Sequence, residues 1–170
     1  MKAFHRPRIE ALVEAGVDLL AIETIPALAE IEALLELLRD EFSSTAAWVS
    51  CTLRDEESIS DGTPVAQIAQ VLDKSAQVVA VGINCVPREL VTPALKVLRS
   101  LTQKPLLCYP NSGEVWDAQS KTWGGVRDAG GTTWQQLVMQ WKAEGAQLIG
   151  GCCRTGPADI QVIRDACTNT

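Results

Sequence analysis

Residues 147–157 read QLIGGCCRTGP, a stretch that joins a short apolar run, two glycines, two adjacent cysteines and a proline. The apolar run predicts a buried strand, and the proline predicts the first turn of a helix that follows it. Residues 77–87, QVVAVGINCVP, repeat the same order of apolar run, cysteine and proline. Both stretches therefore predict a strand and a helix with cysteine at the junction between them.

The rest of the chain repeats this strand and helix pattern. Runs typical of strands buried on both faces lie at residues 18–22, 46–52, 77–84, 105–109 and 147–151. Stretches with apolar residues at helical spacing lie between these runs, and a leading helix is predicted over residues 7–15. Five such units predict an α/β fold with a parallel sheet. The sheet is either part of a TIM (β/α)8 barrel, which takes about 250 residues when complete, or an open doubly wound sheet.

The composition excludes several classes of partner. The 170 residues carry a formal net charge of -6 and contain no basic run, so we expect no nucleic acid and no membrane as partners. No apolar run approaches the roughly 20 residues of a membrane span, and no signal peptide is recognisable. These features predict a cytoplasmic protein whose six cysteines are reduced thiols available for metal binding or catalysis.

Three of the cysteines stand at predicted strand ends. Cys85 follows one strand, and Cys152 and Cys153 follow another, so all three are expected at the same edge of the sheet. Three thiolates that leave a fourth position open form the ligand set of a catalytic zinc site. The competing interpretation is buried free cysteine, and spacing alone does not decide between the two.

The other conspicuous side chains have more ordinary interpretations. His5 is the only histidine and is predicted to face solvent at the start of a helix. Trp116 and Trp123 lie in a long irregular stretch, residues 110–131, where they either cover a bound cation or pin the loop to the fold. The remaining cysteines match no ligand pattern and are predicted to pack in the core, with lining of a pocket as the alternative for the first: Cys51, Cys108 and Cys167.

Five motifs together carry a resemblance to a known family. They are LLAIETIP at residues 19–26, SDGTP at 60–64, GINC at 82–85, YPNSGE at 109–114 and GGCCRTGP at 150–157. The chain resembles the homocysteine S-methyltransferases, and in particular the bacterial and plant enzymes that use S-methylmethionine. The similarity spans the whole chain but only about half of the family's barrel. It implies a TIM barrel fold in which residues 1–170 form the C-terminal portion of the homocysteine-binding domain, with the N-terminal strands missing.

The resemblance also implies a reaction and a set of site residues. The family transfers a methyl group from a sulfonium donor, S-methylmethionine or S-adenosylmethionine, to homocysteine and forms methionine. The three strand-end cysteines are implied to hold zinc, and Glu23 is implied to bind the amino group of homocysteine. Asn84 and Asn111 stand in the other strand-end motifs and are expected to orient substrate or ligands. Without the resemblance, Glu23 is better explained as a carboxylate that borders the helix after Pro26.

Three alternatives remain open on the sequence. The chain could be a noncatalytic half-barrel that binds zinc and needs the missing N-terminal half or another chain. It could belong to a related barrel methyltransferase that uses betaine or methylfolate. The stretch GGCCRTG at residues 150–156 resembles a phosphate-binding loop, but it lacks the G-x-G-x-x-G order, so nucleotide binding is the weakest of the three.

Overall fold

The computed structural model describes residues 1–125 and 131–168, in which strands and helices alternate along the chain. The helices are α1 Lys2–Glu14, α2 Leu28–Glu41, α3 Val65–Asp73, α4 Arg88–Leu101, α5 Trp134–Ala143 and α6 Pro157–Thr168. The strands are β1 Leu20–Ile25, β2 Ala47–Cys51, β3 Val78–Asn84, β4 Leu106–Tyr109, β5 Val115–Asp117, β6 Thr122–Gly124 and β7 Ala146–Ile149. None of the helices in these two ranges has the length and hydropathy needed to cross a bilayer.

Five of the strands form one parallel sheet in the order β1-β2-β3-β4-β7. Because this order follows the chain without reversing, right-handed crossovers place the connecting helices on the same face of the sheet. An open doubly wound sheet reverses its strand order at a switch point, so that alternative is wrong for this chain. Five consecutive parallel strands with helices on one face are the predicted part of a (β/α)8 barrel.

The core lies between the sheet and the layer of helices. Val49 of β2 is 1% exposed, and Leu37 of α2 and Leu95 of α4 are fully buried. Trp134 and Trp141 of α5 are 6% and 0% exposed, so both tryptophans belong to the core. The helices thus each present one apolar stripe to the sheet, as the sequence periodicity predicts.

The opposite face of the sheet is open. Residues of the two edge strands are exposed there, including Ala21 and Glu23 of β1 and Leu148 of β7. The prediction that every strand is buried on both faces is therefore wrong for β1 and β7, because their side chains on the open face are not covered by other described residues. A cavity of about 270 Å³ lies on this face, with Trp48 and Leu107 among the residues that line it.

The first helix begins earlier than predicted. Helix α1 starts at Lys2 and contains Pro7, which was expected to open it. The N–H that Pro7 lacks would pair with the carbonyl of Ala3, which lies on the exposed side and can bind water instead. The prediction that His5 faces solvent is also wrong, because its side chain is only 15% exposed. His5 Nε2 and Glu30 Oε1 lie 2.8 Å apart and tie α1 to α2.

The stretch at residues 110–131 is more regular than predicted. It contains the antiparallel pair β5 and β6, in which Trp116 lies opposite Trp123. The two ring centroids are 5.5 Å apart, so the aromatic pair stabilises the hairpin. Residues 126–130 of this stretch lie outside the described part of the chain.

Candidate metal centre

The three strand-end cysteines meet at the carboxyl edge of the sheet. Cys85 follows the last residue of β3, and Cys152 and Cys153 follow β7 after two glycines. Strands β3 and β7 are both neighbours of β4, so the residues that follow them lie close together. The Sγ atoms of all three cysteines lie within 4.8 Å of one another, and no other His, Cys, Asp or Glu of the described residues joins this group.

The sulfur positions fit a tetrahedral metal. Four ligands at a Zn–S distance of about 2.3 Å are separated from one another by about 3.8 Å. The Sγ atoms of Cys85 and Cys153 are 3.6 Å apart, which is close to this value. The three side chains are only partly buried, so one side of the group stays accessible to a ligand. The donor set therefore suits a zinc ion with three protein ligands and one open position.

The backbone around the cysteines adopts an unusual conformation. Cys85 has a φ of 55° and Arg154 a φ of 65°, both in the left-handed region that non-glycine residues rarely adopt. The preceding turn requires glycine, because a Cβ on Gly151 would lie 2.5 Å from Thr155 Oγ1. That hydroxyl donates to the carbonyl of Cys152 at 2.7 Å. The turn is thus closed by a hydrogen bond of its own.

The segment after β4 holds the cysteine turn from the other side. The Cys152 N–H donates to the carbonyl of Pro110 at 2.7 Å, and the Ser112 N–H donates to the carbonyl of Cys153 at 3.0 Å. The Cys153 N–H donates to Asn111 Oδ1 at 3.2 Å. Asn111 was predicted to orient substrate or ligands, and its contact is with the backbone of a candidate ligand. The arrangement fixes both cysteines relative to β4.

The surroundings favour the protonated form of two of the thiols, Cys85 and Cys152. Burial raises the pKa of the Cys85 thiol to about 12, and its hydrogen bond with Cys153 adds to the rise. Burial and the neighbouring charge of Cys153 also raise the pKa of Cys152. Three thiolates side by side repel one another, so their deprotonation requires a positive charge among them. A bound metal ion supplies such a charge, which couples metal binding to proton release.

The direction of the Glu23 side chain is set by an irregularity in β1. Ile22 pairs with Val49 and Ile25 pairs with Cys51, so β1 has one more residue than β2 over this interval. A bulge of this kind turns side chains away from their normal alternation. Its second residue, Thr24, has a φ of 63°, which is strained for a β-branched side chain.

Asn84 holds this bulge in place. The side chain is 1% exposed, and its Oδ1 accepts from the Thr24 N–H at 2.8 Å. Its Nδ2 donates to Thr24 Oγ1 at 2.7 Å and lies 4.0 Å from Cys152 Sγ. Asn84 therefore contacts both the bulge that directs Glu23 and one of the candidate metal ligands. The predicted binding of the homocysteine amino group by Glu23 stays a prediction.

Two polar residues that the sequence analysis did not single out complete the site. Ser50 Oγ donates to Asn84 Oδ1 at 2.7 Å and lies 2.6 Å from the Tyr109 hydroxyl. The Tyr109 hydroxyl in turn lies 2.9 Å from Glu23 Oε2. A serine within the apolar strand AWVSC was the available signal for Ser50, because a buried hydroxyl requires a partner.

The other candidates lie outside this group. Cys51 and Cys108 are buried in the core, and Cys167 packs against it from a partly buried position, as predicted. The Glu114 side chain is 15% exposed and pairs with Arg154 at 3.2 Å. This ion pair joins the segment after β4 to the residue that follows the cysteine pair, and so reinforces the same turn.

Comparison with known proteins agrees with this geometry. A sequence model of the family described as homocysteine S-methyltransferase matches residues 1–167. The homocysteine S-methyltransferase of Escherichia coli K12 is 54% identical over 166 residues, which are 96% of this chain and 52% of that protein. The homocysteine S-methyltransferase YbgG of Bacillus subtilis is 48% identical over 160 residues, or 94% of this chain and 50% of that protein. The chain thus spans about half the length of these curated relatives.

Solved structures agree with the sequence comparison. The metallated form of the homocysteine methyltransferase MmuM from Escherichia coli superposes with a TM-score of 0.82 at 48% identity. That match covers 96% of this chain and 50% of the solved chain. The oxidized form of the same enzyme gives a TM-score of 0.81 at 49% identity. With its fold, its strand-end cysteines and these relatives, the chain belongs to the homocysteine S-methyltransferase family.

Proposed function

We propose that this chain provides the metal centre and the homocysteine site of a zinc-dependent methyltransferase that forms methionine. The observation that carries the proposal is the convergence of three Sγ atoms within 4.8 Å at the carboxyl edge of the sheet. The existence of a metallated form of the Escherichia coli relative supports a bound metal. Thiolate ligands with an open fourth position favour zinc over harder cations such as Mg²⁺ or Ca²⁺.

Each site residue has a defined task in this proposal. Cys85, Cys152 and Cys153 hold one zinc ion, whose charge favours the thiolate form of a sulfur ligand at neutral pH. Glu23 binds the amino group of homocysteine as a carboxylate partner for an ammonium ion. Asn84 orients Glu23 and Cys152 through the contacts described above, and Asn111 fixes the backbone of the cysteine pair.

The methyl donor is proposed to be a sulfonium compound, S-methylmethionine or S-adenosylmethionine. The homocysteine sulfur forms a bond with the methyl carbon, and the bond between that carbon and the sulfonium sulfur breaks. The electron pair of the broken bond stays on the departing sulfur, which becomes a neutral thioether, and the proton of the homocysteine thiol passes to solvent. A thiolate and a sulfonium both lose their charge, so the apolar cavity lined by Trp48, Leu107 and Leu148 would favour the reaction once a completed barrel covers it.

The barrel that performs this reaction requires three more strands. We propose that residues 1–170 are the C-terminal portion of a homocysteine-binding domain, completed by its N-terminal half or by another chain. The exposed edges at β1 and β7 and the open cavity between them support this view, because unpaired edges invite pairing. We also propose that the protein works in the cytoplasm, where its thiols stay reduced.

Metal content tests the first part of the proposal. The purified, reduced chain should bind about one zinc ion per molecule, as measured by elemental analysis after equilibrium dialysis. Cys152→Ser should lower zinc occupancy strongly and leave the far-ultraviolet circular dichroism unchanged. Cys167→Ser is the matched control, because this cysteine lies outside the sulfur group, and it should keep its zinc. Equal zinc content in the two variants would refute the assignment.

Turnover tests the second part. The zinc-loaded chain is assayed with homocysteine and S-methylmethionine, both alone and with the N-terminal half of the Escherichia coli relative added. Methionine formation in the mixture supports the proposal, and S-adenosylmethionine, betaine and methylfolate identify the donor by substitution. Zinc binding without turnover under every condition would favour the noncatalytic half-barrel instead.

A further inference from the structure

Four polar side chains form a continuous hydrogen-bond network across the open face of the sheet. Glu23 Oε2 lies 2.9 Å from the Tyr109 hydroxyl, which lies 2.6 Å from Ser50 Oγ. Ser50 Oγ lies 2.7 Å from Asn84 Oδ1, at the other end of the network. All three distances are those of hydrogen bonds, and Ser50 and Asn84 are 0% and 1% exposed. Solvent therefore does not reach the Ser50 and Asn84 end of this network.

The direction of each hydrogen bond follows from the donors available. The Thr24 N–H can only donate, so the Asn84 atom 2.8 Å away is an oxygen that accepts. Ser50 must therefore use its single hydroxyl hydrogen on the same oxygen. The single hydrogen of the Tyr109 hydroxyl then serves two acceptors, Ser50 Oγ at 2.6 Å and Glu23 Oε2 at 2.9 Å. The Tyr109 hydroxyl is therefore the donor of this network that reaches the Glu23 carboxylate.

Three contacts thus share two hydrogens, and the tyrosine hydrogen is divided between a buried acceptor and an exposed one. Ser50 is buried, whereas Glu23 is exposed on the edge strand. An ionised carboxylate has further lone pairs that accept from water or from a cationic amine. An ammonium group can therefore bind Glu23 while the Tyr109 hydroxyl keeps its contact with Oε2.

We propose that Tyr109, supported by Ser50, is a positioning residue that holds the Glu23 carboxylate for the amino group of the methyl acceptor. This inference rests on the proposed function and extends it to two residues outside the motif assignments. Tyr109 belongs to the same segment that fixes the cysteine pair, since the Cys85 N–H donates to the Tyr109 carbonyl at 3.1 Å. One residue therefore links the amine site to the sulfur group through its backbone and its side chain.

A double-mutant cycle tests the role of Tyr109 in the assembled, zinc-loaded enzyme. Tyr109→Phe removes only the hydroxyl and should raise the KM for homocysteine about 10-fold, with kcat changed by about twofold or less. In a Glu23→Ala background the same substitution should raise KM by no more than about twofold, because its target is gone. If Tyr109→Phe raises KM about 10-fold in the Glu23→Ala background as well, the proposal is overturned and Tyr109 has a purely structural role.

The control removes a similar interaction far from the site. Thr102 Oγ1 donates to an Asp73 carboxylate oxygen at the opposite end of the sheet, between helix ends that precede β3 and β4. Thr102→Val should lower stability and leave the KM for homocysteine unchanged. A rise in KM equal to that of Tyr109→Phe would show that the kinetic effect is a general loss of stability.

A spectroscopic test separates this inference from the proposed function. Tyr109 is the only tyrosine in the chain, so ¹³C labelling of the tyrosine ζ carbon in this chain gives a single resonance. Ser50→Ala and Glu23→Ala should each shift that resonance before any substrate is added, and homocysteine should shift it in the wild type. If homocysteine is not a substrate, the proposed function fails, yet the two substitutions still report whether the hydroxyl is shared. A resonance that neither substitution moves would overturn the inference.

Discussion

Replacing Asn84 by leucine would test how the site is held together. Leucine has nearly the shape of asparagine but neither donates nor accepts hydrogen bonds, so the change removes polar interactions without opening a large cavity. The substitution deletes the hydrogen bonds of Oδ1 with the Thr24 N–H and with Ser50 Oγ, and that of Nδ2 with Thr24 Oγ1. All three belong to a side chain that is 1% exposed.

The size of the effect follows from the exposure of the groups left behind. Ser50 is fully buried and loses one of its two partners, since the Tyr109 hydroxyl stays 2.6 Å away, and this loss costs about 1–2 kcal/mol. Thr24 is exposed on the edge strand, so water can replace Asn84 there and each broken hydrogen bond costs about 0.5–1 kcal/mol. Thr24 can then leave its φ of 63°, and the relief of this backbone strain stabilises the folded variant by about 1–2 kcal/mol. The balance is a loss of about 1–2 kcal/mol in the free energy of unfolding.

Urea unfolding followed by circular dichroism measures this loss directly. We expect a lower midpoint with an unchanged slope, together with weaker homocysteine binding, because Glu23 loses its fixed direction when the bulge relaxes. Asn111→Ala is the comparison variant, since it removes one hydrogen bond to a backbone N–H and leaves the bulge intact. A leucine variant with wild-type stability and wild-type homocysteine affinity would refute the role assigned to Asn84.

Two further predictions concern the same edge of the sheet. Burial raises the pKa of Tyr109, so the unfolded phenol ionises near pH 10 while the folded one stays neutral. This stabilisation is complete below about pH 10 and is lost as the pH rises above it. Tyr109→Phe should therefore reduce the fall in unfolding free energy between about pH 9 and pH 11, as measured by urea unfolding at each pH. A fall equal to that of the wild type would contradict this prediction. Gly151→Ala places a Cβ 2.5 Å from Thr155 Oγ1 and should weaken zinc binding about 10-fold or more in competition with a chelating dye. Gly150→Ala meets only an ordinary 3.5 Å contact and should bind zinc normally, so equal affinities would disprove the steric argument.

The periodic part of the fold could be predicted because burial sets its pattern. Runs such as residues 77–84 and 105–109 coincide with β3 and β4 to within one residue, since a strand buried among neighbours needs apolar residues throughout. The hairpin of β5 and β6 could not be predicted in this way. Its three-residue strands are mostly exposed and depend on a cross-strand tryptophan pair rather than on burial.

The site was predictable where chemistry restricts the residue type. Cysteines that follow two strands of one parallel sheet carry such a signal, because the carboxyl ends of these strands share one edge and bring the sulfur atoms together. Ser50 and Tyr109 carry no such signal, since their task depends on which neighbours the register places beside them. The bulge at Thr24 was invisible for a related reason: threonine has no preference for the left-handed region, and only the buried Asn84 stabilises it there.

Backbone strain is concentrated where the sulfur atoms and Glu23 are positioned. Of the four non-glycine residues with positive φ in the described ranges, Thr24, Cys85 and Arg154 border the site, and the fourth lies in the β5–β6 turn. Each such residue costs about 1 kcal/mol or more, so the three together offset a substantial part of the roughly 5–15 kcal/mol that stabilises a typical domain. A separate contact holds each one: Asn84 bonds Thr24, the Tyr109 carbonyl accepts from Cys85, and Glu114 pairs with Arg154. Because these contacts lie within the chain, they help to hold the three sulfur atoms and Glu23 in position.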